Sequence, residues 1–296
     1  MREITVAYPA ANSLGEGPIW HPERQSIFWV DILGKLLFEM NHETQAVRSW
    51  KMPERIGTVA IETQETVIVA LQGGIFRFHL ENEALELLVE LEKGISENRP
   101  NDGKCDVNGR LWQGTMDLGC AENAGSLYCF DGQNLVKKLL NLTISNGMVW
   151  SLDNQRFYFI DSPLMRVDAY FFDEKTGEIT FEKTAVTVPA AMGMPDGMTI
   201  DTEGMLWVVH WGGFAVRRWN PETGELMETI EMPVPQVTSC TFGGNNLDEL
   251  FITTAQKGMS AEDLAKYPES GHLFKVKTTT RGIETYKFGI NNAKKV

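Results

Sequence analysis

Four short stretches carry the residues most able to do chemistry: Glu16-Gly17-Pro18, Asn101-Asp102-Gly103-Lys104, Asn146-Gly147-Met148 and Asp196-Gly197-Met198. Each sets a carboxylate or an amide directly before a glycine, and each opens the same kind of segment. Glu, Asn and Asp meeting at one point offer only oxygen donors, the ligand chemistry of a divalent metal ion. Other common chemistries lack their signatures. The chain has no GxSxG elbow, no HExxH, no Walker A loop and no GxGxxG. His21, His42, His79, His210 and His272 show no ligand spacing and fit structural or surface roles. The acidic turns at Asp153-Asn154 and Asp201-Thr202-Glu203-Gly204 lack the closing Glu of an EF-hand loop and suit hairpin turns instead.

Residues this far apart converge only if repeated elements carry them. After each stretch comes a short strand, a polar turn and a second strand with a bulky apolar centre: Phe28-Trp29-Val30, Leu111-Trp112, Tyr158-Phe159-Ile160 and Leu206-Trp207-Val208. Two further segments, near Gly57 and Cys240, share the pattern without the acidic start. The six starts fall about 40 to 50 residues apart, the length of one four-stranded propeller blade. Later strands are also legible, as in Arg166 to Phe172 followed by the turn Asp173-Glu174-Lys175-Thr176-Gly177, where glycine suits a positive φ. The expected fold is all-β: a six-bladed β-propeller of four-stranded blades, one domain spanning 1–296, with a metal site at its centre. Ile4 to Tyr8 is expected to close the last blade. Leu273 to Val276 and Glu284 to Phe288 are the strand candidates at the other end. Only Ser260 to Lys266 suggests a helix, with Ser260 as N-cap. Trp29, Trp112 and Trp207 share a repeat position that suits blade packing.

The 296 residues carry a formal net charge of −13. That disfavours nucleic acid, whose phosphates need clustered Lys and Arg. No apolar run reaches transmembrane length and Met1 to Thr5 has no apolar h-region, so a membrane partner is not expected. Cys105, Cys120, Cys129 and Cys240 are scattered without a CxxC and suit free thiols in a reducing cytoplasm. The expectation is a cytoplasmic monomer acting on a small molecule.

Several segments resemble one family. Gly15-Glu16-Gly17-Pro18-Ile19-Trp20, Asn98-Arg99-Pro100-Asn101-Asp102-Gly103-Lys104, Ile144-Ser145-Asn146-Gly147 and Pro195-Asp196-Gly197-Met198 look like the signature segments of the SMP-30/gluconolactonase/regucalcin family, in its order and spacing. Ser239 to Gly244, Thr253-Thr254-Ala255 and Gly258-Met259 extend the likeness, which covers nearly the whole chain. Trp211 to Phe214 and Glu122 to Tyr128 look closer to bacterial sugar lactonases than to animal regucalcin. The resemblance implies a six-bladed propeller with lactonase activity and one divalent metal (Ca²⁺, Zn²⁺, Mn²⁺, Mg²⁺ or Fe²⁺). By the same resemblance, Glu16, Asn146 and Asp196 match the metal ligands, and Arg99 and Asn101 match residues that hold the substrate. Glu122 lies where the family's loop offers a carboxylate to the sugar. Asp102 is left open between a supporting role and none, since adjacent strand residues point to opposite faces.

The implied reaction is hydrolysis of a sugar lactone to the aldonic acid. A divalent cation polarises the carbonyl, and Asp196 takes the proton from the attacking water. The alternative has the ion itself activate the water while Asp196 orients it. Arg99 can donate a rigid fork of hydrogen bonds to sugar oxygens. An acidic protein would help to repel an anionic product. The rivals are a non-enzymatic Ca²⁺-binding regulator and a metal-dependent esterase or organophosphatase on the same fold. A polar pocket favours the sugar, and one lined mostly by Met and Phe favours the esterase.

Overall fold

Runs of β-branched and aromatic residues broken by Gly, Asn and Asp turns form short antiparallel strands. The computed structural model describes residues 3–289. Its strands make six four-stranded sheets. Blades 1 to 5 begin with the inner strands Gly15–His21, Ile56–Ile61, Asn98–Cys105, Ser145–Trp150 and Met194–Ile200, and each continues outward in chain order. Blade 6 takes Val237–Gly243, Glu249–Thr254 and Leu273–Lys277, and Ile4–Tyr8 completes it with Val6 opposite Phe274. The inner strands pack on one another in ring order, the sixth against the first, so the six blades close into a propeller. The expected span 1–296 includes residues 1–2 and 290–296, which lie outside the described residues.

The apolar core is divided among the seams between blades. Six clusters of buried side chains each join two neighbouring blades. Trp29, Trp112 and Trp207 are fully buried in three of these seams. Two of the indoles are anchored to hairpin turns. Trp112 Nε1 donates to Asp106 Oδ2 and Trp207 Nε1 to Asp201 Oδ2, both at 2.9 Å. Arg110 and Arg218 hold the same two carboxylates at 2.6 and 2.7 Å. A buried indole N–H and a buried carboxylate thus satisfy each other.

The α-helix is Ala261–Lys266, and Ser260 and Asp263 cap it reciprocally through side chain and backbone. Glu284 to Phe288, a strand candidate by sequence, is not a strand. Each blade already has four strands, and this segment instead buries Lys287 and Phe288 at its end. Phe288 stacks on Phe130 and joins the seam between blades 2 and 3, while Tyr286 Oη donates to Asn154 Oδ1. Among the described residues, no helix is long and apolar enough to cross a membrane. All four cysteines are free.

Candidate metal and substrate site

Every inner strand breaks register with its neighbour at the same height. The irregularities fall between Glu16 and Ile19, Ile56 and Thr58, Pro100 and Gly103, Ser145 and Met148, Pro195 and Met198, and Val237 and Ser239. A bulge re-aims the side chains around it. Asn101, Asn146 and Asp196 sit inside their bulges, and Glu16 sits at the edge of its own. The glycines beside them permit the close approach of the strands. A Cβ on Gly147 would stand 2.7 Å from Asp196 O, and one on Gly197 would stand 2.2 Å from Ser239 Oγ.

The result is a cavity of 190 Å³ on the channel axis. Its polar lining is Glu16, Arg99, Asn101, Asn146, Ser162, Asp196 and Lys257, and its apolar wall is Leu14, Met116, Cys120, Ile144, Met194 and Trp211. Glu16, Arg99, Asn101, Asn146 and Asp196 are each no more than 6% exposed. A chain of hydrogen bonds orders several of them. Arg99 Nη1 donates to Asn101 Oδ1 at 2.7 Å and to Pro100 O at 2.9 Å. Asn101 Nδ2 donates to Asn146 Oδ1 at 3.0 Å and to Ser145 O at 2.8 Å. Asn146 Nδ2 in turn donates to Ser162 Oγ at 2.8 Å. Asn146 Oδ1 is thereby fixed in direction and keeps a second lone pair.

The electrostatics are those of a site built for a cation. Burial, aided by the Asp102 charge, pushes Glu16 up to about 8. Burial and then Glu16 and Asp102 push Asp196 well above the usual carboxylate range. Asp196 Oδ1 is buried without a hydrogen-bond partner. Two desolvated carboxylates and an unmet oxygen are costly unless a positive charge joins them. A divalent cation with oxygen preference fits this donor set of two acids and one amide. Among the described residues, no group of three His, Cys, Asp or Glu is placed to hold a metal ion. Burial also lowers Arg99 to about 10, so it stays charged near neutrality.

A sequence model of the SMP-30/gluconolactonase/LRE-like region matches residues 14–256. The chain belongs to this family. The family includes relatives of two kinds. Regucalcin of Oryctolagus cuniculus is 36% identical over 293 residues, covering 97% of this chain and 98% of that protein. A putative sugar lactone lactonase of Bacillus subtilis is 34% identical over 277 residues, covering 93% and 94%. The crystal structure of a calcium-binding protein, regucalcin, from Agrobacterium tumefaciens superposes with a TM-score of 0.94 at 26% identity, covering 97% of each chain.

Of the residues singled out by sequence, Glu16, Arg99, Asn101, Asn146 and Asp196 come together in this cavity. Glu122 does not join them: it is exposed in the turn between Leu111–Asp117 and Gly125–Phe130 and does not line the cavity. From the same loop it is Cys120 that does. Asp102 shares the bulge with Asn101, so strand alternation fails there, and it lines a separate 20 Å³ cavity with Gly17, Lys104 and Ser239. Trp211 lines the main cavity. His210 is fully buried, and burial and Arg217 hold it down to about 3, so it stays neutral in the strand. Sequence reasoning missed Lys257 and Ser162, which lie in the connections between the second and third strands of blades 6 and 4.

Proposed function

We propose that this chain hydrolyses a sugar lactone to the open aldonic acid and uses one divalent metal ion held by Glu16, Asn146 and Asp196. The observation that carries this reading is the meeting of two buried carboxylates, one with an unpartnered oxygen, with Arg99 and Asn101 in one cavity. It is supported by the putative sugar lactone lactonase among the relatives and by the regucalcin structure described as calcium-binding. A bound ion would supply Lewis-acid polarisation of the lactone carbonyl.

The chain's own groups have definite roles in this reading. Arg99 and Asn101 hold the ring and its hydroxyls. Asp196 accepts a proton from water as the water oxygen adds to the carbonyl carbon. The ring C–O bond then breaks, the proton passes to the departing ring oxygen, and the new carboxylic acid ionises to solvent. A base that is also a ligand faces opposite pulls, since a cation lowers its proton affinity and burial raises it.

The polar side chains in the lining favour a hydroxylated substrate, and Met116 and Met194 stand in the apolar wall without any Phe. A panel of pentonic and hexonic lactones, assayed above spontaneous opening with chelator and with Ca²⁺, Zn²⁺, Mn²⁺, Mg²⁺ or Fe²⁺ restored, tests the reading. Opening above background that stops with chelator is expected. If no lactone opens faster than background with any ion, a metal-binding regulatory propeller becomes the better account.

A further inference from the structure

Elsewhere in the molecule many arginines face carboxylates: Arg24 with Glu39, Arg77 with Glu62, Arg156 with Glu182 and Arg218 with Asp201. The cavity is different. Arg99 is buried, yet its hydrogen bonds run to the neutral oxygens of Pro100 and Asn101. Lys257 lines the same cavity and is exposed at its mouth, in the turn after Glu249–Thr254. Its backbone is pinned, with Lys257 N donating to Ser13 O at 2.9 Å and Met259 N to Gln256 O at 3.1 Å. Among the described residues, neither Arg99 nor Lys257 makes an ion pair. The Lys257 ammonium is near enough to Glu16 and Asp196 to lower the proton affinity of both. Arg55 adds a third positive charge near Arg99.

If Glu16 and Asp196 neutralise a divalent ion, Arg99 and Lys257 remain uncompensated. Cations gathered at one cavity of a chain whose net charge is −13 make a local field opposite to the global one. Arg99 is committed to the floor through Asn101, whereas Lys257 ends a flexible stem at the open side. A compact ammonium on such a stem suits a carboxylate or phosphate. The cavity's 190 Å³ is smaller than the roughly 300–1,000 Å³ typical of ligand pockets, so one sugar ring fits better than two.

We propose that the cavity takes a single-ring lactone bearing an anionic group, and that Lys257 meets that group at the mouth. This rests on the lactonase reading above. The test measures kcat/KM for gluconolactone (neutral), glucarolactone (carboxylate) and phosphogluconolactone (phosphate) with the metal-loaded protein and with Lys257→Ala, Lys257→Arg and Lys257→Glu. Calorimetric binding of glucarate, phosphogluconate and gluconate accompanies it. The wild type should prefer at least one anionic lactone, and the two anionic arms tell carboxylate from phosphate. Lys257→Ala should cut the anionic-to-neutral preference about 10- to 100-fold, the worth of one charge-assisted contact. Lys257→Arg should keep most of it, and Lys257→Glu should lose more than Lys257→Ala. A wild type that prefers gluconolactone, or a Lys257→Ala variant that weakens all three alike, overturns the proposal. If no lactone opens but glucarate or phosphogluconate still binds more tightly than gluconate through Lys257, the anion site stands and the lactonase reading falls.

Discussion

Metal binding to this site should be strongly proton-linked. Burial holds Glu16 at about 8, so at pH 7 about ten chains carry its proton for each that does not. Asp196 is raised as well. A cation needs both as carboxylates, so loading the metal must expel protons. Between pH 6 and 8 the apparent affinity should rise about tenfold per unit for each proton released, and the contribution of Glu16 should flatten above about 8. The sign for the metal-free protein is the reverse of ordinary acid denaturation. A folded-state pKa raised from 4.5 to about 8 gives stability that is fully present below about 4.5 and lost as pH rises through about 8. The ceiling for Glu16 alone is on the order of 5 kcal/mol. Calorimetric titration of Mn²⁺ or Ca²⁺ into chelator-treated protein, in buffers of different ionisation enthalpy, counts the protons. Thermal melts from pH 5 to 9, with and without metal, read the stability. No proton release at pH 6 to 7 together with a flat affinity would mean that these carboxylates are already ionised, and the desolvation argument would fail.

Six substitutions probe the rest. Glu16→Gln and Asp196→Asn should each weaken metal binding by at least about tenfold while the propeller stays folded; unchanged affinity in both by calorimetry sinks the ligand assignment. Arg99→Ala should keep the metal and lower kcat/KM about 10- to 1,000-fold, whereas Asn101→Ala should also loosen the metal because Asn101 Nδ2 orients Asn146 Oδ1. Equal loss of metal in both variants would mean that Arg99 positions the ligand set through Asn101 instead of serving the substrate. Asp201→Ala strips Trp207 and Arg218 of a buried partner and should cost about 3–5 kcal/mol by denaturant unfolding, a loss that a shift below about 1 kcal/mol would contradict. Gly57→Ala places a Cβ 2.5 Å from the Pro100 carbonyl, so stability should fall by about 1–3 kcal/mol and turnover with it as Asn101 shifts; a variant normal in both would show that the contact is soft.

The blade repeat was legible because each blade repeats the same physical problem: an inner strand, a polar hairpin and a bulky second strand that fills a seam. The cap at Ser260 and the hairpin at Asp201 were legible because their partners lie a few residues away. The bulges were not. By the rule of a polar residue before glycine, Asp102 matches Asn146 and Asp196, but the register sets Asn101 beside them and gives Asp102 its own smaller cavity. Alternation of side chains holds only where the ladder is regular. Glu284 to Phe288 carries a strand's composition, and only its packing into the seam between blades 2 and 3 shows why it is not one.

The loops were least legible, and they decide what the site recognises. Nothing in the local sequence separates Glu122, which faces solvent, from Cys120, which faces the cavity two residues earlier. Lys257 is equally silent, because its place depends on a backbone bond to Ser13 from the far end of the chain. Its importance also corrects an inference from composition. A net charge of −13 suggests a protein that repels anions. Yet exposed charges are screened within about 8–10 Å at physiological salt, so a ligand in the cavity responds mainly to the groups beside it. Those groups are Glu16 and Asp196 together with Arg99 and Lys257, and among the described residues neither cation is ion-paired. If the proposal holds, the balance of charge at the mouth, rather than that of the whole chain, selects the lactone, and the lysine variants measure that balance directly.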